Sequence, residues 1–265
     1  DGGIVAWRLW GQGKPLLLLH GSHGGWMHWL RNIPALARDH LVIVPDMPGF
    51  GESDPPADIE SAAQHAELLA QGLRGLPGVS GALDVVGFSL GALIGANIAI
   101  LAPDLVARLV LVDAGGLDTP FFPADLRSPK GLEGDAVRAV NRHNLGAMML
   151  HDPAAIDDVA IDITLAYGPR VRSRVQHFVV PDHLLSAARR VSAPIDLIWG
   201  EHDFIHPDPE ANAHVIRAFQ PDCELRVIAG AGHWPMYEQP ERFEAALRDL
   251  LARPVRGRAN QALAI

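Results

Sequence analysis

Cysteine is almost absent: Cys223 is the single one among 265 residues. An intramolecular disulfide, a thiolate metal cluster and redox exchange between paired cysteines are therefore excluded, and a reducing cytoplasm is the expected setting. Basic runs are missing too. Lys and Arg total 22 against 31 Asp and Glu, a formal net charge of -9 with a pI near 5.8. No segment can follow a phosphate backbone or an anionic bilayer, so nucleic acid and membranes are not expected partners. No stretch approaches the roughly 20 apolar residues that cross a bilayer. No basic-then-apolar leader opens the chain, although it begins at Asp1 rather than Met, which leaves room for an upstream segment. Internal repeats and low-complexity tracts are also lacking. A small-molecule partner is expected, and a homodimer is compatible with the composition.

The hydrophobic share, 48%, suffices for a full core, and one domain carrying an insertion fits the length. Short apolar runs alternate with helical patterns, which predicts an α/β fold: a mostly parallel sheet with helices on both faces. Strands are expected at Val5 to Trp10, Leu16 to His20, Leu41 to Pro45, Leu83 to Gly87, Leu109 to Asp113, Ile195 to Gly200 and Glu224 to Ala229. Several are continuously apolar, as strands buried on both faces should be. Ala62, Ala66, Leu69, Leu73 and Leu76 form one helical stripe, and Phe243, Leu247, Leu250 and Leu251 another. The alternation stops between Leu117 and Val191. Pro120, Pro123 and Pro129 punctuate the entrance and Ala193-Pro194 the return. The expected division is a core of residues 1–116 and 192–253, a helical cap inserted at 117–191, and a tail at 254–265 without period or partner.

Gly87-Phe88-Ser89-Leu90-Gly91, between an apolar run and an Ala- and Ile-rich stretch, predicts a strand, a very tight turn and a helix with a serine at the apex. Such a turn brings flanking backbone together, so the positions two before and two after the serine must be small. The following helix points its N–H groups and positive end at the hydroxyl.

A serine hydroxyl needs a base to take its proton, and the base needs an acid to hold its tautomer. In this architecture the chain order is Ser, acid, His. His233 follows the last expected strand in Ala229-Gly230-Ala231-Gly232, a turn able to carry it over the sheet edge. Asp203, in the loop after Gly200, is the preferred acid; Asp113, which ends an earlier strand, is the rival. Asp46, in a Gly- and Pro-rich loop, reads as a structural acceptor for backbone donors. The oxyanion of a tetrahedral intermediate needs two donors. The N–H of Leu90 is one, and the loop His20-Gly21-Ser22-His23-Gly24-Gly25 supplies the other, with Ser22 preferred and His23 second. His20, His23 and His28 cluster in sequence, as do His202 and His206, but neither group has metal-ligand spacing, so no metal is expected. No cofactor is implied.

Taken in order, His20-Gly21, Asp46 to Ser53, the Ser89 pentapeptide, Gly200-Glu201-His202-Asp203 and Gly232-His233 resemble the α/β-hydrolase superfamily over nearly the whole chain. The resemblance implies an eight-stranded sheet, its first strand shortened or absent here, with a helical cap after the sixth strand and a Ser89, Asp203, His233 triad. A Ser nucleophile argues against the dehalogenase and epoxide hydrolase branches. Gly24-Gly25-Trp26, Arg31-Asn32-Ile33, Met149 to Pro153, and His233-Trp234 with Glu238 are similar to hydrolases that cleave carbon–carbon bonds in ring-opened aromatic metabolites. The chain departs from them at Phe88 and His28, where that family has Asn. It departs again at Thr164, aligned with the family's substrate-binding Arg, although Arg142, Arg170, Arg172 and Arg174 are near.

Those departures shift the expectation to a cofactor-independent serine hydrolase of a small, largely apolar carboxylic ester, working through an acyl-enzyme at Ser89. Carbon–carbon hydrolysis is the alternative. A non-catalytic ligand receptor, or lyase or cofactor-free oxygenase chemistry, is a further one on the same fold. His23, Trp26, Phe88, Leu145, Met148, Met149 and Trp234 are expected to line or roof the pocket.

Overall fold

In the computed structural model, which describes residues 3–56, 61–179 and 181–254, seven strands form one sheet. They are β1 (Trp7–Trp10), β2 (Lys14–Leu19), β3 (His40–Pro45), β4 (Leu83–Phe88), β5 (Val106–Val112), β6 (Ile195–Gly200) and β7 (Leu225–Ile228). Their order is β1-β3-β2-β4-β5-β6-β7, with β1 antiparallel to β3 and every other pairing parallel. All the expected strands are present, with ends displaced by a few residues. An eighth strand is not found among the described residues. Of the expected tail at 254–265, residues 255–265 lie outside them.

The continuously apolar strands are buried on both faces. Leu16 and Leu18 join one core layer while Leu17 and Leu19 join the other, because successive side chains on a strand point to opposite sides. Each leucine buried this way contributes about 1.5–3 kcal/mol. The helices α1 (Ile33–Leu36), α2 (Ala62–Arg74), α3 (Leu90–Leu101), α4 (Gly134–Asn144), α5 (Asp158–Tyr167), α6 (His183–Ala188), α7 (Pro209–Arg217), α8 (Pro235–Glu238) and α9 (Pro240–Ala252) pack around it. Ser61 caps α2 through the N–H of Gln64, and Ala66, Leu69 and Leu73 bury its stripe. No helix among the described residues is long and apolar enough to cross a membrane.

Between β5 and β6 the chain forms α4, a five-residue wide turn at Leu145–Met149, α5, short 3-10 turns and α6. Asp157 caps α5 through Ala160 N and ties it back to the core, accepting from Arg31 Nη2 at 2.6 Å and Tyr237 Oη at 2.6 Å.

At the opposite end of the strands, Arg108 and Asp196, each about 1% exposed, form an ion pair that Arg253 extends. Arg108→Leu strands part of a buried charge and should lower unfolding stability in urea by about 3 kcal/mol, while kcat of the surviving native protein stays unchanged.

Candidate active site

Strand β4 delivers the chain into a turn that only this local sequence permits. Ser89 has φ +51° and ψ -115°, outside the ordinary basins, a strain of about 1–3 kcal/mol that persists when the surroundings fix it. Ser89 N donates to Val112 O at 2.9 Å, locking the apex to β5. A Cβ on Gly87 would lie 2.4 Å from Gly91 O, and one on Gly91 would lie 2.5 Å from Leu19 O. Ser89 is left half-buried at the start of α3.

Two loops meet beside this turn, the His233 ring lying 5.2 Å from that of Phe88. Asp203 follows β6 and His233 follows β7, and His233 Nδ1 lies 3.0 Å from Asp203 Oδ2 with both side chains buried. Asp203 Oδ1 accepts from Ile205 N at 2.9 Å and His206 N at 3.3 Å. Burial alone would raise the Asp203 pKa. The charge of His233 and its hydrogen bond, with His206 adding to them, outweigh burial and hold the carboxyl below its usual range. An ionised Asp203 accepts the hydrogen bond of Nδ1–H, which selects the tautomer whose Nε2 lone pair is free to act as a base. The loops come this close because a Cβ on Gly200 would stand 2.0 Å from Gly232 O. Asp113 binds elsewhere, accepting from Gly200 N at 2.8 Å.

The loop after β2 is organised by two imidazoles. His20 Nδ1 donates to Gly21 O at 2.8 Å and its Nε2 accepts from Met47 N at 2.9 Å. His28 Nδ1 accepts from Gly21 N at 3.2 Å, which puts its proton on Nε2. His28 packs against Phe88 and Trp234, with ring centroids 5.4 and 4.9 Å away. Burial, then the neighbouring histidines, hold its pKa well below the usual value. Asp46 serves the loops: Oδ1 accepts from Trp26 N at 2.9 Å, and Oδ2 from Glu52 N and Arg8 Nη1 at 3.1 Å each.

A cavity of about 610 Å³ lies under the cap, lined by Ser22, His23, His28, Leu145, Met148, Met149, Thr164, Leu165 and Trp234 among others. Its neighbour, about 560 Å³, shares Met148 and Met149 and reaches Asp203 and His233. The turn at Gly21 and Ser22 abuts Ser89, since a Cβ on Gly21 would sit 3.3 Å from Ser89 Cβ. Two expected wall residues lie elsewhere. Trp26 packs against Trp10, the rings tilted by 37° with centroids 5.5 Å apart, under the Arg8 guanidinium, and its backbone N–H is held by Asp46. Phe88 is buried between His28 and His233. None of Arg142, Arg170, Arg172 and Arg174 lines either cavity. Arg142 donates to Ile156 O, and Arg172 to Ser53 O at 2.6 Å. The cations in the wall are the exposed Arg127 and Lys130, on the loop before α4. Nothing in their local pattern marked them.

Glu238 has a role that its sequence position did not disclose. Oε2 accepts from Gly232 N at 2.7 Å and His151 N at 3.1 Å, and Oε1 from Asp152 N at 2.5 Å. One buried carboxylate thus holds the His233 loop to the cap, with Trp234 N donating to Met149 O at 2.9 Å alongside.

A family profile described as "Alpha/beta hydrolase family" matches residues 16–246; the chain belongs to this family and is a hydrolase. An uncharacterized protein of Mycobacterium tuberculosis is 31% identical, over 90% of this chain and 75% of the relative. A 2-hydroxy-6-oxononadienedioate/2-hydroxy-6-oxononatrienedioate hydrolase of Paraburkholderia phymatum is 30% identical, over 91% and 88%. Among solved structures, a thermophilic esterase from Thermogutta terrifontis superposes with a TM-score of 0.74 at 26% identity, covering 93% of this chain and 92% of the esterase.

Glu238→Ala leaves three N–H groups without their acceptor, each costing about 1–3 kcal/mol if no water replaces it. The variant should lose several degrees in Tm and at least tenfold in kcat. Acid sensitivity should trace to buried neutral imidazoles. Burial, reinforced by His20, pulls His65 down from 6.5 to about 4; burial, against Asp203 and with His233, does the same to His206. A depressed histidine pKa contributes stability above pH 6.5 that drains as pH falls toward 4. Tm should drop across that window, and His65→Asn, outside the Asp203–His233 pair, should flatten the drop.

Proposed function

We propose that the protein hydrolyses small, largely apolar carboxylic esters through an acyl-enzyme. Ser89 Oγ attacks the ester carbonyl while His233 Nε2 takes its proton, and Asp203 stabilises the imidazolium on the far side. The N–H groups of Ser22 and Leu90 receive the oxyanion, aided by the positive end of α3. His233 returns the proton to the departing alcohol. Water, deprotonated by the same imidazole, then attacks the acyl carbon and frees Ser89 with release of the acid.

The observation that carries this reading is the cavity wall. Leu145, Met148, Met149, Leu165 and Trp234 present an apolar face beside Ser22 and His23, and of the cap arginines Arg142, Arg170, Arg172 and Arg174 do not line it. Such a wall rewards acyl methylenes at about 0.8 kcal/mol each.

Carbon–carbon cleavage of ring-opened dienoates is the second reading. It is favoured by relatives named as such hydrolases at 28–30% identity over about 90% of the chain. Arg127 and Lys130 at the wall would then meet the substrate carboxylate. That replaces the expectation that Arg142 to Arg174 supply it.

A turnover screen of p-nitrophenyl esters of graded chain length beside a ring-fission dienone tests both. For the ester reading, kcat/KM should rise a few-fold per added carbon until the cavity fills, with no dienone cleavage. Dienone turnover that Arg127→Ala and Lys130→Ala depress through KM would instead select the second reading. Saturable binding without any turnover would leave a receptor. Ser89→Ala should lower kcat by several orders of magnitude with Tm unchanged.

A further inference from the structure

The end of β5 holds a second buried carboxyl that the hydrolytic scheme does not use. Asp113 is fully buried, as is Asp203. An oxygen of each and a ring nitrogen of His233 lie within 4.8 Å of one another. The two acids are unequally served. Asp203 has two backbone N–H groups and His233, whereas Asp113 has one N–H, from Gly200, on Oδ1. Asp113 Oδ2 is buried without a hydrogen-bond partner among the described residues.

Two carboxylates sharing a buried site cannot both ionise without a cation between them. The groups facing Asp113 are Asp203 and His206 from the loop after β6 and His233 from the loop after β7. His206 is near the strand end, since a Cβ on Gly115 would stand 3.0 Å from its Nε2, but its ring is kept neutral by burial. The single imidazolium that catalysis forms is bonded to Asp203. A proton on Asp113 Oδ2 satisfies it without a further partner, and a protonated oxygen is a donor.

We propose that Asp113 is a neutral carboxylic acid whose Oδ2–H donates to Asp203, making it a positioning residue for the acid of the triad. Burial first, and the charge of Asp203 second, push the Asp113 pKa well above the usual carboxylate range. The positive backbone angle of Asp113, φ +42°, turns it out of the strand at this position. Its proton stays in place through the reaction; it fixes the orientation of Asp203, which in turn fixes His233. The proposal rests on the Ser89, Asp203, His233 triad and is independent of which substrate is cleaved.

The test compares Asp113→Asn and Asp113→Ala with the wild type. Asn keeps an acceptor for Gly200 N and a donor for Asp203, so kcat should stay within about threefold and the acid limb of kcat/KM within about 0.3 pH units. Ala removes both, and kcat should fall tenfold or more at nearly constant KM. If Asp113 were ionised, the Asn variant would delete a negative charge beside His233 and move the acid limb down by about a unit or more, which would overturn the proposal.

Infrared difference spectra of the wild type against Asp113→Asn at pH 7 should contain a protonated carboxyl band lost in the variant; its absence would also overturn it. This readout needs no substrate, so it separates failure here from failure of the ester reading. Stability adds a direction. A carboxyl whose pKa is raised by folding takes up a proton that the unfolded chain has released. Wild-type stability therefore drains as pH rises from about 4 toward the folded value, and Asn has no such loss. Tm of the Asn variant relative to wild type should climb between pH 5 and 8, and a decline would refute the assignment.

Discussion

A buried hydrogen bond of 3.0 Å between His233 and Asp203 exists only because two loops meet where the backbone leaves no room for a side chain. The contact of Gly200 with Gly232 O sets that distance. The same economy recurs at Gly87 and Gly91 in the Ser89 turn. The parallel strands put the C-terminal ends of β2, β3, β4, β5, β6 and β7 along one edge, and loops leaving that edge converge. Ser22, Asp46, Ser89, Asp113, Asp203 and His233 stand on those loops, so the backbone packing there governs how these groups meet.

Electrostatic order at this edge depends on which buried groups are kept neutral. His28 and His206 lose their charge to burial. That leaves Asp203 as the anion facing His233 and keeps competing cations out of a low-dielectric site, where each would act strongly. Asp113 completes the pattern as a carboxyl without a cation of its own. The neutral tautomers also have structural work: His20 and His28 bond the backbone of the loop that presents Ser22.

The cap is joined to this machinery by polar bonds as well as packing. Glu238 receives N–H groups from both the His233 loop and the cap segment at His151 and Asp152. Arg31, Tyr237 and Asp157 form a second tie to α5. The apolar cavity is therefore roofed by a segment that cannot shift without disturbing the loop that carries His233.

Much of this was legible from local pattern. Apolar runs such as Leu16 to Leu19 can be buried on both sides only in a helix-covered sheet, and the small-residue spacing around Ser89 is a steric requirement of its turn. The glycine-rich approach to His233 announces a loop near a strand end. These are short-range constraints, and the sequence determines them by itself. The contact partner of His233, the exclusion of Trp26 and Phe88 from the cavity wall, the presence there of Arg127 and Lys130, and the reach of Glu238 across 86 residues to Asp152 were decided only in three dimensions. Asp113 and Asp203 both follow strands and carry the same chemical group. Which one bonds the imidazole depends on distances between loops far apart in the chain, and those distances are fixed by the packing of the whole sheet edge.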